Sequence, residues 1–75
     1  MNERLRNVMA TTFQVPAESI NENSSAENLE RWDSFGFLQL ITSLEDEFGV
    51  NFDETELLRM TSYKTIQSIL EDKGI

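Results

Sequence analysis

Trp32-Asp33-Ser34-Phe35-Gly36-Phe37, with the periodic apolar run that follows to Phe48-Gly49, is the stretch on which the fold of this chain turns. Asp33 suits a helix N-cap, because its carboxylate can accept a hydrogen bond from a free N–H of the first turn. Trp32 just before the cap and Phe37 four places after it have the spacing of a hydrophobic staple. Ser34 then becomes the first helical residue. At about 100° per residue, Phe37, Leu40, Ile41, Leu44 and Phe48 share one face and predict the buried stripe of a helix. Phe35 falls about half a turn from the middle of that stripe. Leu38 lies on the stripe's edge, and Gly49 is the expected C′ residue.

Working outward, Asn2 can cap an earlier helix with Glu3 in its first turn. Leu5, Val8, Met9, Thr12 and Phe13 recur at three- and four-residue intervals, and Pro16 ends the element near Gln14. Residues 16–31 form a long connection with Ile20 and Leu29 as apolar anchors and Ser25-Ala26-Glu27-Asn28 as a short turn. A loop of that length inside a small domain calls for a reason. Beyond Gly49, Asp53 and Glu56 have capping-box spacing, and Phe52 and Leu57 have staple spacing. They predict a short helix to about Arg59 that buries Leu57 or Leu58, and Met60. Thr61 or Ser62 caps a last helix whose face is Tyr63, Ile66, Ile69 and Leu70, closed by Lys73 and Gly74. The expectation is a single all-α domain over residues 1–75. It is a four-helix bundle with three main helices, a short third one and a long first loop.

Composition narrows the function. There is no cysteine and no histidine, which removes thiolate chemistry, the usual general base and the commonest metal ligand. Fourteen acidic against six basic residues leave a net charge of −8. Such a surface repels nucleic-acid phosphates and anionic membranes and attracts basic protein patches. Apolar residues make up 39% of the chain, at regular spacing, which argues for a folded protein over a disordered one. Met1-Asn2-Glu3-Arg4 has no apolar leader run, so a cytoplasmic protein, a monomer with no nucleic-acid or membrane partner, is expected. Glu45, Asp46, Glu47, Asp53, Glu54 and Glu56 cluster in sequence but lack the calcium-loop pattern, so no metal site is expected.

Ser34 then has three readings: a plain helix-start residue, a nucleophile, or an acceptor for a prosthetic group. A catalytic serine needs an activating base. Without histidine, and with Lys64 and Lys73 given no reason to lie beside it, no catalytic residue is assigned. The start of a helix, with free N–H groups and a positive dipole end, is instead a natural seat for a phosphate.

Asp33-Ser34-Phe35, a helix ending in Leu44-Glu45-Asp46-Glu47-Phe48 and the short acidic chain together resemble the acyl carrier protein family. The resemblance covers nearly the whole sequence. It implies that Ser34 carries 4′-phosphopantetheine through a phosphodiester, making the chain a phosphoprotein, with Asp33 as the helix cap beside it. It further implies a non-enzyme that holds an acyl intermediate as a thioester. The intermediate is presented to enzymes of fatty-acid or specialised, polyketide-type acyl biosynthesis. An aminoacyl or peptidyl carrier shares the serine motif, and an unmodified acidic docking domain is the reading from another class. The implied partners are a phosphopantetheinyl transferase, an acyl ligase or transferase, and synthase enzymes, met through their basic patches. Phe35, Leu38, Glu45, Asp46 and Glu54 are the expected recognition residues. Two features depart from the family: the motif leucine is Phe35, and Gly36, Phe37, Leu38 and Gln39 stand where acids are usual. A carrier serving a dedicated enzyme set is therefore expected, and acids placed at positions 36 and 39 should restore general handling.

Overall fold

The computed structural model describes residues 2–75, which form four helices in the order α1 (Glu3–Phe13), α2 (Ser34–Phe48), α3 (Glu54–Arg59) and α4 (Tyr63–Asp72). Each begins where a side chain can satisfy its free amides. Asn2 Oδ1 accepts from Leu5 N at 3.0 Å, and Asp33 Oδ1 accepts from Gly36 N at 2.8 Å. Asp53 with Glu56, and Ser62 with Thr65, form reciprocal capping boxes. Gln14 in the left-handed region closes α1 ahead of Pro16, and Gly49 does the same for α2.

The core is one cluster built from α1, α2 and α4, with α3 packed against it. Leu5, Met9, Ala10 and Phe13 of α1 meet Leu40 and Leu44 of α2, and Tyr63, Ile66, Ile69 and Leu70 of α4. Phe52 and Met60 flank α3 and are buried, while Leu57 packs against the cluster half-buried. The short helix settles the choice between its two leucines: Leu57 faces inward and Leu58 is 76% exposed. Ala10 is a core residue that the first apolar stripe omitted. Its small side chain gives a weak periodic signal, yet it packs close to the helix axis.

The long connection is ordered by its own side chains. Asn21, Ser24, Ser25 and Asn28 accept hydrogen bonds from loop amides, and Asn28 Nδ2 donates to Asn23 O at 2.7 Å. A single 3₁₀ turn at Ala17–Ser19 follows Pro16. Ile20 and Trp32 pin the two ends of the loop in the core. Between them, Ala26 N donates to Thr61 O and Tyr63 N donates to Ser24 O, both at 2.9 Å. These two bonds tie the loop to the link between α3 and α4. The loop is long because it crosses the bundle and makes its own wall there.

Polar contacts tie the remaining ends. Arg4 Nε lies 2.7 Å from Glu47 Oε2, and its guanidinium sits 4.7 Å over the Phe48 ring. The Tyr63 hydroxyl accepts from Asn2 N and donates to Asn2 O, and burial pushes its pKa above the ordinary 10.0. Lys73 Nζ meets Glu56 Oε1 at 3.0 Å. The hydrogen bond from Asp53 N, and then Lys73, hold the Glu56 carboxyl below its ordinary 4.5. A depressed carboxyl adds stability above its unfolded pKa and loses it as pH falls through the folded one. In thermal melts, Glu56→Gln should therefore fall below wild type at neutral pH. The two should converge as pH drops below 4.5.

Exposure decides a second expected outcome. Phe13 is 1% exposed and its ring lies 5.3 Å from that of Trp32. Phe13→Ala should cost about 3–5 kcal/mol. Phe35 is 70% exposed, and Phe35→Ala should leave stability within about 0.5 kcal/mol. Chemical denaturation of the two variants checks this directly.

Candidate functional site

The site is built at the junction of loop and α2. Trp32 is buried with its ring on Phe13, which anchors the last loop residue against α1. Asp33 is extended, with φ −99° and ψ −170°, and takes Gly36 N. Ser34 is thereby set as the first helical residue, exposed to solvent. The amides of Ser34 and Phe35 lack helical partners, as the first N–H groups of any helix must. A phosphodiester on the Ser34 oxygen would lie within the positive end of a fifteen-residue helix, so the local donors fit that group.

Beside the serine is an open cleft of about 430 Å³, lined by Ala26, Trp32, Asp33, Ser34, Phe37, Leu57, Leu58, Met60 and Thr61. Loop, α2 and α3 each give it a wall. Trp32 and Phe37, the staple pair, both face it. Its lining is apolar apart from the serine, its cap and Thr61. A broader groove of about 780 Å³ opens on the α1 side, with Phe35, Leu38 and Gln39 over Thr11, Thr12 and Ser43. No group of three acids that could hold a metal ion occurs among the described residues.

The recognition residues expected from sequence separate into two sets. Phe35 and Leu38 are 70% and 65% exposed within the first turns of α2, next to Ser34. Glu45 and Asp46 are eleven and twelve residues further on, about 17–18 Å along the helix axis. Glu45 has another task, since its Oε2 accepts from Phe52 N at 3.0 Å and holds the turn after α2. Asp46 is exposed on α2, and Glu54 is exposed at the start of α3. Leu58 belongs with the site but was masked in sequence by Leu57 beside it.

Gly36 also belongs to the site, for a steric reason. A Cβ at this position would overlap the carbonyl oxygen of Arg31, where the loop folds back over the first helical turn. Restoring an acid at position 36 is therefore ruled out by the backbone, whatever its effect on charge. Glycine weakens a helix interior, and its place in a first turn was the available signal. Gly36→Ala should cost about 1–3 kcal/mol by overpacking, roughly 4–8 °C in melting temperature per kcal/mol. Gln39→Glu, at an exposed position, should melt with wild type.

The comparisons with known proteins agree with this geometry. A family model described as a phosphopantetheine attachment site matches residues 3–72. An acyl carrier protein of Saccharopolyspora erythraea is 33% identical over 55 residues, covering 73% of this chain and 58% of that protein. One from Lactobacillus acidophilus is 34% identical over 53 residues, 71% of this chain and 66% of the relative. One from Thermosynechococcus vestitus is 34% identical over 70 residues, 92% of this chain and 82% of the relative. The chain thus spans less than two thirds of the first two relatives and most of the third. It belongs to the acyl carrier protein family, whose mark is a phosphopantetheine attachment site.

Proposed function

We propose that this chain carries an acyl group on a 4′-phosphopantetheine arm attached to Ser34 and presents it to partner enzymes. The arm's terminal thiol supplies the thioester linkage. The protein supplies the attachment oxygen, a phosphate-compatible helix start and a surface to dock on. It has no histidine to activate a nucleophile, so the chemistry of loading and transfer falls to the partners. The observation that carries the reading is an exposed Ser34 at the capped start of α2, beside an apolar cleft.

That cleft supports an acyl cargo over an aminoacyl one, because an ammonium group would gain little from its apolar walls. Met60 in its lining can adapt to cargo of irregular shape. The partners in this reading are a phosphopantetheinyl transferase and a dedicated ligase or transferase set. Phe35 and Leu38 are the contacts nearest the serine, with Asp46 and Glu54 as outlying acids. The chain works as a monomer in the cytoplasm, where coenzyme A supplies the arm.

Intact-mass spectrometry tests attachment. Incubation with coenzyme A and a broad-specificity phosphopantetheinyl transferase should add one phosphopantetheine to wild type and none to Ser34→Ala. Ser34 caps nothing, so circular dichroism should show that variant folded. Wild type left unmodified by several such transferases, or a label on Ser43 or Ser62, would sink the reading.

A further inference from the structure

Two grooves flank α2, and their linings differ. The cleft toward α3 is apolar, whereas the groove toward α1 is lined mainly by hydroxyl and amide side chains. Among the described residues, the side chains of Thr11, Thr12, Gln39 and Ser43 in that groove make no hydrogen bond. A smaller groove of about 350 Å³ shares Thr11, Thr12 and Ser43 and continues the seam to Arg4 and Glu47. The polar lining is therefore a furrow that follows the two helices.

The end of the furrow nearest Ser34 has a different character. Phe35 and Leu38, both exposed, form its apolar wall. Arg31 and the exposed Asp33 line the same groove. Asp33 Oδ1 is committed to Gly36 N. The Arg31 guanidinium donates to Gln14 Oε1 and has no carboxylate within salt-bridge distance among the described residues. The two charges offset one another, so an anion there meets no net negative charge.

Phosphopantetheine presents its groups in a matching order. Outward from the phosphodiester come a gem-dimethyl carbon, a hydroxyl, two amides and a terminal thiol. Past the phosphate its length is that of about four extended residues, roughly 14 Å. Phe35 to Ser43 is eight residues of α2, about 12 Å along the axis.

We infer that the α1–α2 furrow is the resting seat of the arm on Ser34 when no acyl group is loaded. The inference rests on the carrier reading and gives the unloaded arm a place on the fold. The gem-dimethyl carbon covers Phe35 and Leu38, and the hydroxyl and amides bond Gln39, Thr12 and Ser43. The apolar cleft offers those amides little beyond Thr61, so an arm laid there would strand them without partners. Tethering gives the furrow a high effective concentration of arm, so weak bonds suffice to fill it.

Amide chemical shifts of the protein before and after phosphopantetheine is attached test this. Attachment should shift Thr11, Thr12, Gln39 and Ser43 more than Leu57, Met60 and Thr61. The chain has no cysteine, so the arm's thiol is the one thiol present, and its reaction with an aromatic disulfide reports shielding. Wild type should react about fivefold more slowly than free phosphopantetheine, and Thr12→Val with Ser43→Ala should close most of that gap. Shifts confined to residues 33–36, or larger at the cleft residues, would overturn the inference while the carrier reading stands. Equal thiol rates for wild type and free phosphopantetheine would do the same. Wild type that never accepts the arm sinks both.

Discussion

The contact between the Trp32 and Phe13 rings sets the register of everything downstream. With Trp32 buried against α1, Asp33 has one geometry in which its carboxylate reaches Gly36 N, and α2 starts at Ser34. A slip of one residue would turn the helix about 100° and trade Phe37 and Leu44 for outward-facing neighbours. Gly36 is the other half of the junction, because only a residue without a Cβ lets the Arg31 carbonyl close over the first turn. Core packing, loop path and serine exposure therefore come from a single six-residue segment.

Charge plays a secondary part in stability and a larger one in shaping the surface. The ion pairs Arg4–Glu47 and Arg6–Glu3 are largely exposed, so each is worth about 0–1 kcal/mol. The bundle is held by its shared apolar cluster and its caps. What the pairs accomplish is to set a cation beside some of the acids. A net charge of −8 suggests an attraction for basic partners, yet several of the carboxylates near α2 and α3 are already matched inside the fold.

How much could be seen in the sequence follows from the range of the interactions. The four helices, their caps at Asn2, Asp33 and Asp53, the αL glycine at position 49, and Ser62 as one of two candidate caps were legible because each depends on neighbours within four residues. The placing of Ser34, the proposed attachment residue, was legible for the same reason, since it is set by its own cap. Contacts made across the fold were not. Nothing local says that Ser24 and Thr61 share backbone bonds with the opposite segment, or that Glu45 turns back to Phe52. Leu57 and Leu58 differ only in which way a six-residue helix is rolled, and so short a pattern does not encode that roll. Gly36 stood out only as a missing acid, because its steric cause lies in the folded position of Arg31.

The cleft beside Ser34 has walls of unequal stiffness, and this bears on what it can hold. Its α2 wall belongs to a fifteen-residue helix whose inner face is in the common core. Its α3 wall is six residues long, shorter than a helix that stands alone in water. That wall is kept in place by its flanks: Phe52 and Met60 in the core, Glu45 on Phe52 N, and Lys73 on Glu56. Moving α3 outward loses few buried side chains of its own, whereas moving α2 would open the core. α3 is thus the least committed wall of the cleft, and Ser34 stands on the wall that the core holds.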